Sequence, residues 1–271
     1  MGIILFKLAF AMCALGTAGY LLSLLIKRVA LAKISTWILI IAFGFLTMNL
    51  LVAVISPAGL AGLGARDFFS FCAWVVSGIY LAFQLKTKTR ILGAFIAPLI
   101  LLLMIAAMGY DSGKTLVPEN MSSRLTIIHL VFVITGEALF VLASCAGAMF
   151  VIQNSLIKHK KMSRMSRLFP SLSELDRINH LCLLWGFPVL TMGLIAGAII
   201  ARFTWGAGWP LDPKIIWTLI VWITYGFLLH QRLAIGWKGI RMAAVSCGAF
   251  ILFLLSYSGM RFFFLTMHNF I

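Results

Sequence analysis

The residues of this chain that could carry chemistry are histidines and a tryptophan-rich segment at the ends of apolar runs. The segment 205–217 reads WGAGWPLDPKIIW and separates two long apolar stretches. His129 opens another apolar run in SSRLTIIHLVF, and His268 lies in the closing FFFLTMHNFI. Imidazole nitrogens are the usual axial ligands of heme iron, and an indole offers a flat apolar face to a planar ring. These residue types predict a site for heme with His129 and His268 as its two axial ligands.

The tryptophans of this segment form the predicted platform for the ring: Trp205, Trp209 and Trp217. Asp212 precedes Pro213, a pattern typical of a helix N-cap followed by a first-turn proline, and we favour that role over contact with a cofactor. A lone histidine at a helix end is more often an interfacial residue than a ligand. The combination of two histidines with the tryptophans favours the ligand interpretation.

The composition predicts an all-α polytopic membrane protein. Of its 271 residues 62% are hydrophobic and 11% are charged, and the mean hydropathy is +1.07. A helix needs about 20 apolar residues to cross the hydrocarbon core of a bilayer. Runs that approach or exceed this length are 3–26, 35–55, 68–84, 91–110, 125–152, 182–202, 213–231 and 241–261. We therefore predict eight transmembrane helices in a single membrane domain, 1–271, with a tryptophan-rich loop at 203–217.

Basic residues fall mostly in alternate loops, which orients the predicted helices. Lys and Arg accumulate in the cytoplasmic loops of membrane proteins. One set of loops carries 15 of them, against only six in the opposite set: Lys27, Arg28, Lys33, Lys86, Lys88, Arg90, Lys158, Lys160, Lys161, Arg164, Arg167, Arg177, Arg232, Lys238 and Arg241. Both termini and the tryptophan-rich loop are therefore predicted to face outward. Cytoplasmic loops beside anionic headgroups of the lipid bilayer explain the net charge of +15, and no nucleic-acid partner is predicted.

Glu137 is an ionisable residue within the fifth predicted span. It follows His129 by eight residues, which places the two on nearly the same helix face. An ionisable group at that depth is a functional candidate, and a protonated, hydrogen-bonded carboxyl is the structural alternative. The five cysteines fall inside predicted spans without CxxC spacing, so the sequence predicts neither a disulfide framework nor a thiolate metal site.

Several segments of the chain resemble the CcsA/ResC branch of the heme-handling cytochrome c assembly proteins, together with its CcmC and HemX relatives. The tryptophan-rich segment is similar to the family pattern WGxxWxWDPKExW, and the early helices fit more loosely. The segments that carry the resemblance are GFPVLTMGLIAGAIIA (186–201), WGAGWPLDPKIIW (205–217), WITYGFLLHQR (222–232), GWKGIR (236–241) and MHNF (267–270).

The resemblance implies a role and a set of ligands. It implies that heme b lies against the outward tryptophan-rich loop between His129 and His268, and that His230 serves a second heme site within the membrane. It implies system II cytochrome c maturation in a bacterial cytoplasmic (inner) membrane. There a ResB-type membrane partner assists delivery of heme to the CxxCH of apocytochrome c, where thioether bonds form.

The chain also departs from the family pattern. Leu211 stands where the pattern has its third tryptophan, and Ile215 replaces its glutamate. Met48 and Asn49 occupy a stretch of the second span where many HemX-like relatives carry a histidine. The chain is thus expected to be either the membrane subunit of a holocytochrome c synthase or a HemX-like accessory or regulatory protein of heme biosynthesis. A small-solute transporter is the weakest alternative, since no internal repeat is visible in the sequence.

Overall fold

The structure, a computed structural model, describes residues 2–56, 64–87, 89–110, 124–160, 169–205 and 213–263. These residues form eight α-helices, as predicted from the apolar runs, and the chain is an all-α polytopic membrane bundle. A short 3-10 turn, Arg90–Leu92, leads into the fourth helix. The helices are α1 Gly2–Ile26, α2 Val29–Ile55, α3 Ala65–Thr87, α4 Gly93–Met108, α5 Arg124–Lys158, α6 Leu172–Trp205, α7 Pro213–Leu233 and α8 Ile240–Phe263.

Several helices are longer than the apolar runs that predicted them. The second helix begins at Val29 and not at 35, and the sixth begins at Leu172 and not at 182. The predicted boundaries were wrong because hydropathy detects only the stretch inside the lipid, whereas polar helix ends continue into water. Six of the helices are long and apolar enough to cross a membrane within the residues described.

The chain divides into two compact units. One consists of Met1–Glu119 with Ser155–Ser171, and the other of Asn120–Asn154 with Leu172–Ile271. We call these the first and the second unit; α1 to α4 belong to the first, and α6 to α8 with most of α5 belong to the second. Each is held by its own buried hydrogen bonds.

In the first unit, a buried network closes the predicted cytoplasmic ends of three helices. The Tyr20 hydroxyl lies 2.9 Å from Thr36 Oγ1 and 3.1 Å from the Tyr80 hydroxyl. Gln84 Nε2 donates to the same Thr36 Oγ1 at 2.9 Å. Gly93 lies against the Tyr20 ring and the Tyr80 hydroxyl, so closely that a side chain there would collide with them. Neutral polar groups therefore tie α1, α2, α3 and the start of α4 together.

The first unit also contains a Trp–Thr–Phe cluster between α2 and α3. Trp74 Nε1 donates to Thr47 Oγ1 at 2.8 Å, and the indole stacks on Phe43 with ring centroids 5.5 Å apart. Thr47 itself donates to the Phe43 carbonyl at 2.8 Å. Gly78, one turn after the tryptophan, gives the phenylalanine ring room: a Cβ there would lie 3.1 Å from it.

The second unit repeats this cluster between α6 and α7. Trp222 Nε1 donates to Thr191 Oγ1 at 2.9 Å, and the indole stacks on Phe187 with centroids 5.3 Å apart. Thr191 donates to the Phe187 carbonyl at 2.8 Å, and a Cβ on Gly226 would lie 3.1 Å from the phenylalanine ring. Both units thus place Phe-x3-Thr on their second helix and Trp-x3-Gly on their third. The sequence analysis did not identify this similarity, because the shared pattern is only four residues in each half.

We expect the substitution Trp222→Phe to lower the stability of the protein by about 1 kcal/mol, because it deletes one buried hydrogen bond and keeps the stacking ring. The melting temperature in detergent should fall by about 2–4 °C. Trp185→Phe is the matched control, since Trp185 is 63% exposed on α6 of the same unit. Equal shifts for the two variants would show that the indole–threonine bond contributes nothing.

Candidate functional site

His129 lies in the second turn of α5, at the predicted outer end of the second unit. Its Nδ1 atom is 2.7 Å from the carbonyl oxygen of Gly193 on α6. A carbonyl oxygen can only accept, so the imidazole donates its Nδ1 hydrogen; in the neutral ring Nε2 is then the nitrogen with the lone pair. A backbone carbonyl that fixes the tautomer in this way is the usual outer-shell partner of a metal-binding histidine.

Glycines on α6 make room for this ring. A Cβ on Gly197 would lie 2.7 Å from His129 Cε1 and 2.9 Å from Nδ1, closer than real side chains approach. A Cβ on Gly193 would lie 2.7 Å from Val133 Cγ2, one turn further along α5. The segment GLIAG (193–197) is a GxxxG pattern, which lets two membrane helices approach closely. Close packing of α5 on α6 therefore positions the imidazole.

This arrangement suits an axial heme ligand. The iron of heme is held by neutral imidazole nitrogen, and a ring held on one side by a carbonyl and packed against glycines is already oriented. Within the part of the chain that the structure describes, no three His, Cys, Asp or Glu side chains gather as a metal site. The described part of the site therefore contributes one oriented imidazole, that of His129.

The tryptophan-rich segment begins and ends inside helices. Trp205 is the last residue of α6, and Trp217 lies in the second turn of α7, which begins at Pro213. The predicted loop 203–217 is therefore too long at both ends, since no helix-breaking residue precedes Gly206 and a proline fits the first turn of a helix. Trp209 and Asp212 lie outside the described residues. The predicted helix start at Pro213 is confirmed.

Of the other two histidines of the predicted site, the structure describes only His230, and it lies far from His129. His268 lies outside the described residues. His230 is exposed in the last turn of α7, the opposite end from Pro213. Trp222 is level with Thr191 of α6, and His230 lies eight residues further inward, whereas His129 contacts α6 outward of Thr191. At 1.5 Å per residue the two imidazoles are about 15 Å or more apart along the bundle, too far for one iron.

In a comparison with known protein families, one family model matches most of the chain. The profile described as Cytochrome C assembly protein matches residues 63–268, which include every helix from α3 to α8. The chain belongs to the cytochrome c assembly protein family. All the structural features of the second unit described above lie inside the matched region.

Three relatives of this family member are each described as a cytochrome c biogenesis protein CcsA. The protein of Chlamydomonas reinhardtii is 31% identical over 200 residues, covering 70% of this chain and 55% of the relative. That of Trieres chinensis is 28% identical over 232 residues, with 74% of each chain covered. That of Prochlorococcus marinus (strain MIT 9301) is 28% identical over 224 residues, covering 74% and 72%. This chain thus spans about half of the first relative and about three quarters of the other two.

An ion pair at the predicted cytoplasmic end of the second unit was not foreseen from the sequence. Arg232 Nη1 and Nη2 donate to Asp176 Oδ1 and Oδ2 at 2.8 and 2.6 Å. The Gly239 amide donates to Asp176 Oδ1 at 2.8 Å, and its φ of +64° favours glycine there. The arginine also donates to the Trp237 carbonyl at 3.3 Å. This Asp176–Arg232 clamp joins α6, α7 and the start of α8.

Proposed function

We propose that this membrane protein handles heme in cytochrome c biogenesis, holding heme b at its outer face with His129 as an axial ligand. The observation that carries the proposal is the 2.7 Å contact between His129 Nδ1 and the Gly193 carbonyl. That contact leaves Nε2 as the nitrogen with the lone pair, which is the atom that would bind iron. Membership of the cytochrome c assembly family supports the same role.

The remaining outer ligands are proposed from the family resemblance. His268 is the second axial ligand, and Trp205, Trp209 and Trp217 form the apolar platform against which the ring lies. From the Asp–Pro pattern of the sequence, Asp212 is proposed to cap α7 ahead of Pro213. His230, distant from His129, belongs to a separate site within the membrane.

In this mechanism the residues of the chain bind the heme, orient its ligand and shield one face of the site from water. The GxxxG pattern of α6 sets the position of His129, the Gly193 carbonyl holds the imidazole through its Nδ1 hydrogen, and the indoles exclude water from one face of the site. When bound, heme supplies vinyl groups that can form thioether bonds with the CxxCH cysteines of an apocytochrome c. A ResB-type membrane partner completes the assembly, and the proposed location is the bacterial cytoplasmic membrane.

The substrate and the partners of this chain are proposals, because the chain spans only part of the length of its relatives. The three relatives named above are biogenesis proteins, so they lend no support to the HemX-like alternative. We propose that the chain acts as the membrane subunit of a holocytochrome c synthase. The substitutions Leu211 and Ile215 in the tryptophan-rich segment are the features against which that activity must be tested.

The test is the absorption spectrum of the detergent-purified protein, oxidised and reduced, with a pyridine hemochrome assay. We expect a b-type spectrum with six-coordinate, bis-imidazole features and about one heme per chain at the outer site. A protein that purifies without heme and also fails to take up added hemin would contradict the proposal. Electron paramagnetic resonance of the oxidised form then distinguishes two imidazole ligands from one.

A further inference from the structure

Three buried hydrogen-bond donors at the predicted outer end of the first unit have no hydrogen-bond partner among the residues that the structure describes. They are the Asn49 amide Nδ2 on α2 and, on α3, Arg66 Nε and Ser70 Oγ. Asn49 is 5% exposed and Ser70 is fully buried. We call these residues the outer donor cluster. Leaving a buried donor unpaired costs about 1–3 kcal/mol, more for a charged group, so three such donors together need an explanation.

Contacts with α1 place Asn49 and Arg66 one helical turn apart along that helix. A Cβ on Gly2 would lie 3.7 Å from Asn49 Oδ1, so the start of α1 packs on the asparagine. The guanidinium carbon of Arg66 lies 5.3 Å from the ring centroid of Phe6, one turn further along α1. Ser70 follows Arg66 by one turn of α3 and therefore lies on the same helix face.

A hydrogen bond between α2 and α3 shows that Asn49 and Ser70 lie at a similar depth in the first unit. Trp74 and Thr47 are hydrogen-bonded, so their helices are level at that point. Asn49 lies two residues outward of Thr47, and Ser70 lies four residues outward of Trp74. At 1.5 Å per residue these two side chains are within about 3 Å of one another in height.

The chemistry of the cluster is that of an anion site. An amide N–H, a guanidinium N–H and a hydroxyl all donate, and the arginine adds a positive charge near the first turn of α3, where the helix dipole also favours anions. Asp67 is the acidic group in that turn, and its carboxylate accepts the Gly64 amide at 3.0 Å. Among the residues that the structure describes, the cluster has no acceptor for these three donors.

We propose that the outer donor cluster binds an oxyanion group, either a free carboxylate or phosphate from the outer solution or the phosphate of a lipid headgroup. Two or more acceptor oxygens on one negatively charged group can satisfy all three donors at once, with charge-assisted hydrogen bonds to the arginine. This site lies wholly in the first unit, and it stands whether or not the second unit binds heme.

The proposal is tested by thermal unfolding of the full-length protein in phosphate-free maltoside detergent. Sodium acetate and sodium phosphate are compared with sodium chloride at equal ionic strength, and dihexanoyl phosphatidylglycerol supplies the lipid headgroup. A ligand at about a hundredfold excess over its Kd should raise the melting temperature by about 5–10 °C. Native mass spectrometry of the same preparations detects a lipid that has remained bound through purification.

Two variants identify the site. Asn49→Leu removes an unpaired buried amide, so without anion it should melt at or above the wild-type temperature, and it should lose the anion-dependent rise. Arg66→Gln should lose the rise as well. Lys33→Gln is the matched control, because it also removes one positive charge from the first unit, at an exposed position near the opposite end of α2, and it should keep the rise.

The source of the anion follows from which ligand stabilises the protein. A rise with acetate or phosphate supports a free anion, and a rise or a retained lipid with phosphatidylglycerol alone supports a headgroup. The proposal is overturned if none of the ligands acts and no lipid is retained. It is also overturned if Asn49→Leu and Arg66→Gln respond as Lys33→Gln does.

Discussion

Replacement of His129 by alanine is expected to remove most of the b-type absorbance of the purified protein. The imidazole is the proposed iron ligand whose orientation the structure describes, through its 2.7 Å contact with the Gly193 carbonyl. Loss of an outer-shell partner alone costs about 10–100-fold in metal affinity, and loss of the ligand itself should cost at least about 100-fold. Hemin titration of the purified variant, followed by absorbance, measures that change directly.

The substitution Gly197→Ala tests the positioning of the ligand without removing it. The added methyl group would lie 2.7 Å from His129 Cε1, so the ring must move away from its place beside Gly193. We expect hemin affinity to fall about tenfold, since the imidazole remains but its orientation is lost. The reduced spectrum should shift as one axial bond weakens, a change that general loss of stability does not produce.

Matched controls separate these effects from damage to the fold. His159→Ala removes an exposed histidine after the end of α5 and should bind heme as the wild type does. Gly248→Ala places the same methyl group in α8 of the second unit, where nothing lies within 4 Å of the new atom. The ligand assignment fails if His129→Ala retains wild-type affinity, and the positioning role of Gly197 fails if the two glycine variants behave alike.

The eight helices could be predicted because lipid imposes a length and an apolar composition on each span. The depth of His129 near the start of α5 followed from the same pattern. Its partner could not be predicted, because Gly193 and Gly197 fit both a helix contact and ordinary packing, and only the fold shows that the ring lies between them. A GxxxG pattern in a span facing a histidine is the sequence signal that would have found this contact.

Contacts between residues that are distant in the chain could not be predicted from the sequence. Asp176 and Arg232 are 56 residues apart, and nothing in either segment indicates that the two side chains meet. The repeated Trp–Thr–Phe clusters escaped for a different reason. Their residues lie on two helices in each unit, so the repeat is visible only when the contacts are compared. Both cases show that hydropathy predicts the helices but not the polar contacts that determine how the helices pack against one another.

Loss of the Asp176–Arg232 clamp is expected to have the largest effect on stability of any substitution considered. Both charged side chains are largely buried, with 7% of the arginine and 19% of the aspartate side chain exposed. Arg232→Gln would remove the charged partner of the aspartate and leave it the Gly239 amide as a described hydrogen-bond donor near the membrane surface. Breaking a buried pair by removing one member costs about 3–5 kcal/mol, and the partial exposure of Asp176 places the expected value at about 3 kcal/mol.

The neighbouring pair Glu174–Arg177 provides the control within the same helix. Its atoms are 3.8 Å apart and its arginine is 69% exposed, so Arg177→Gln should change stability by less than about 1 kcal/mol. Arg232→Lys keeps the charge but not the two parallel hydrogen bonds, and an intermediate loss is expected. Melting temperature and resistance to proteolysis in detergent measure all three variants.

A double-mutant cycle decides whether the clamp acts as a pair. In Asp176→Asn combined with Arg232→Gln neither charge remains, so the double variant should be less destabilised than the two single losses added together. Additive losses would mean that each side chain is held by other contacts and that the ion pair joins nothing. Because the clamp lies at the other end of the second unit from His129, variants that stay folded should retain their affinity for hemin. If the clamp variants lose hemin affinity in parallel with stability, the two ends of the second unit unfold together in one cooperative transition.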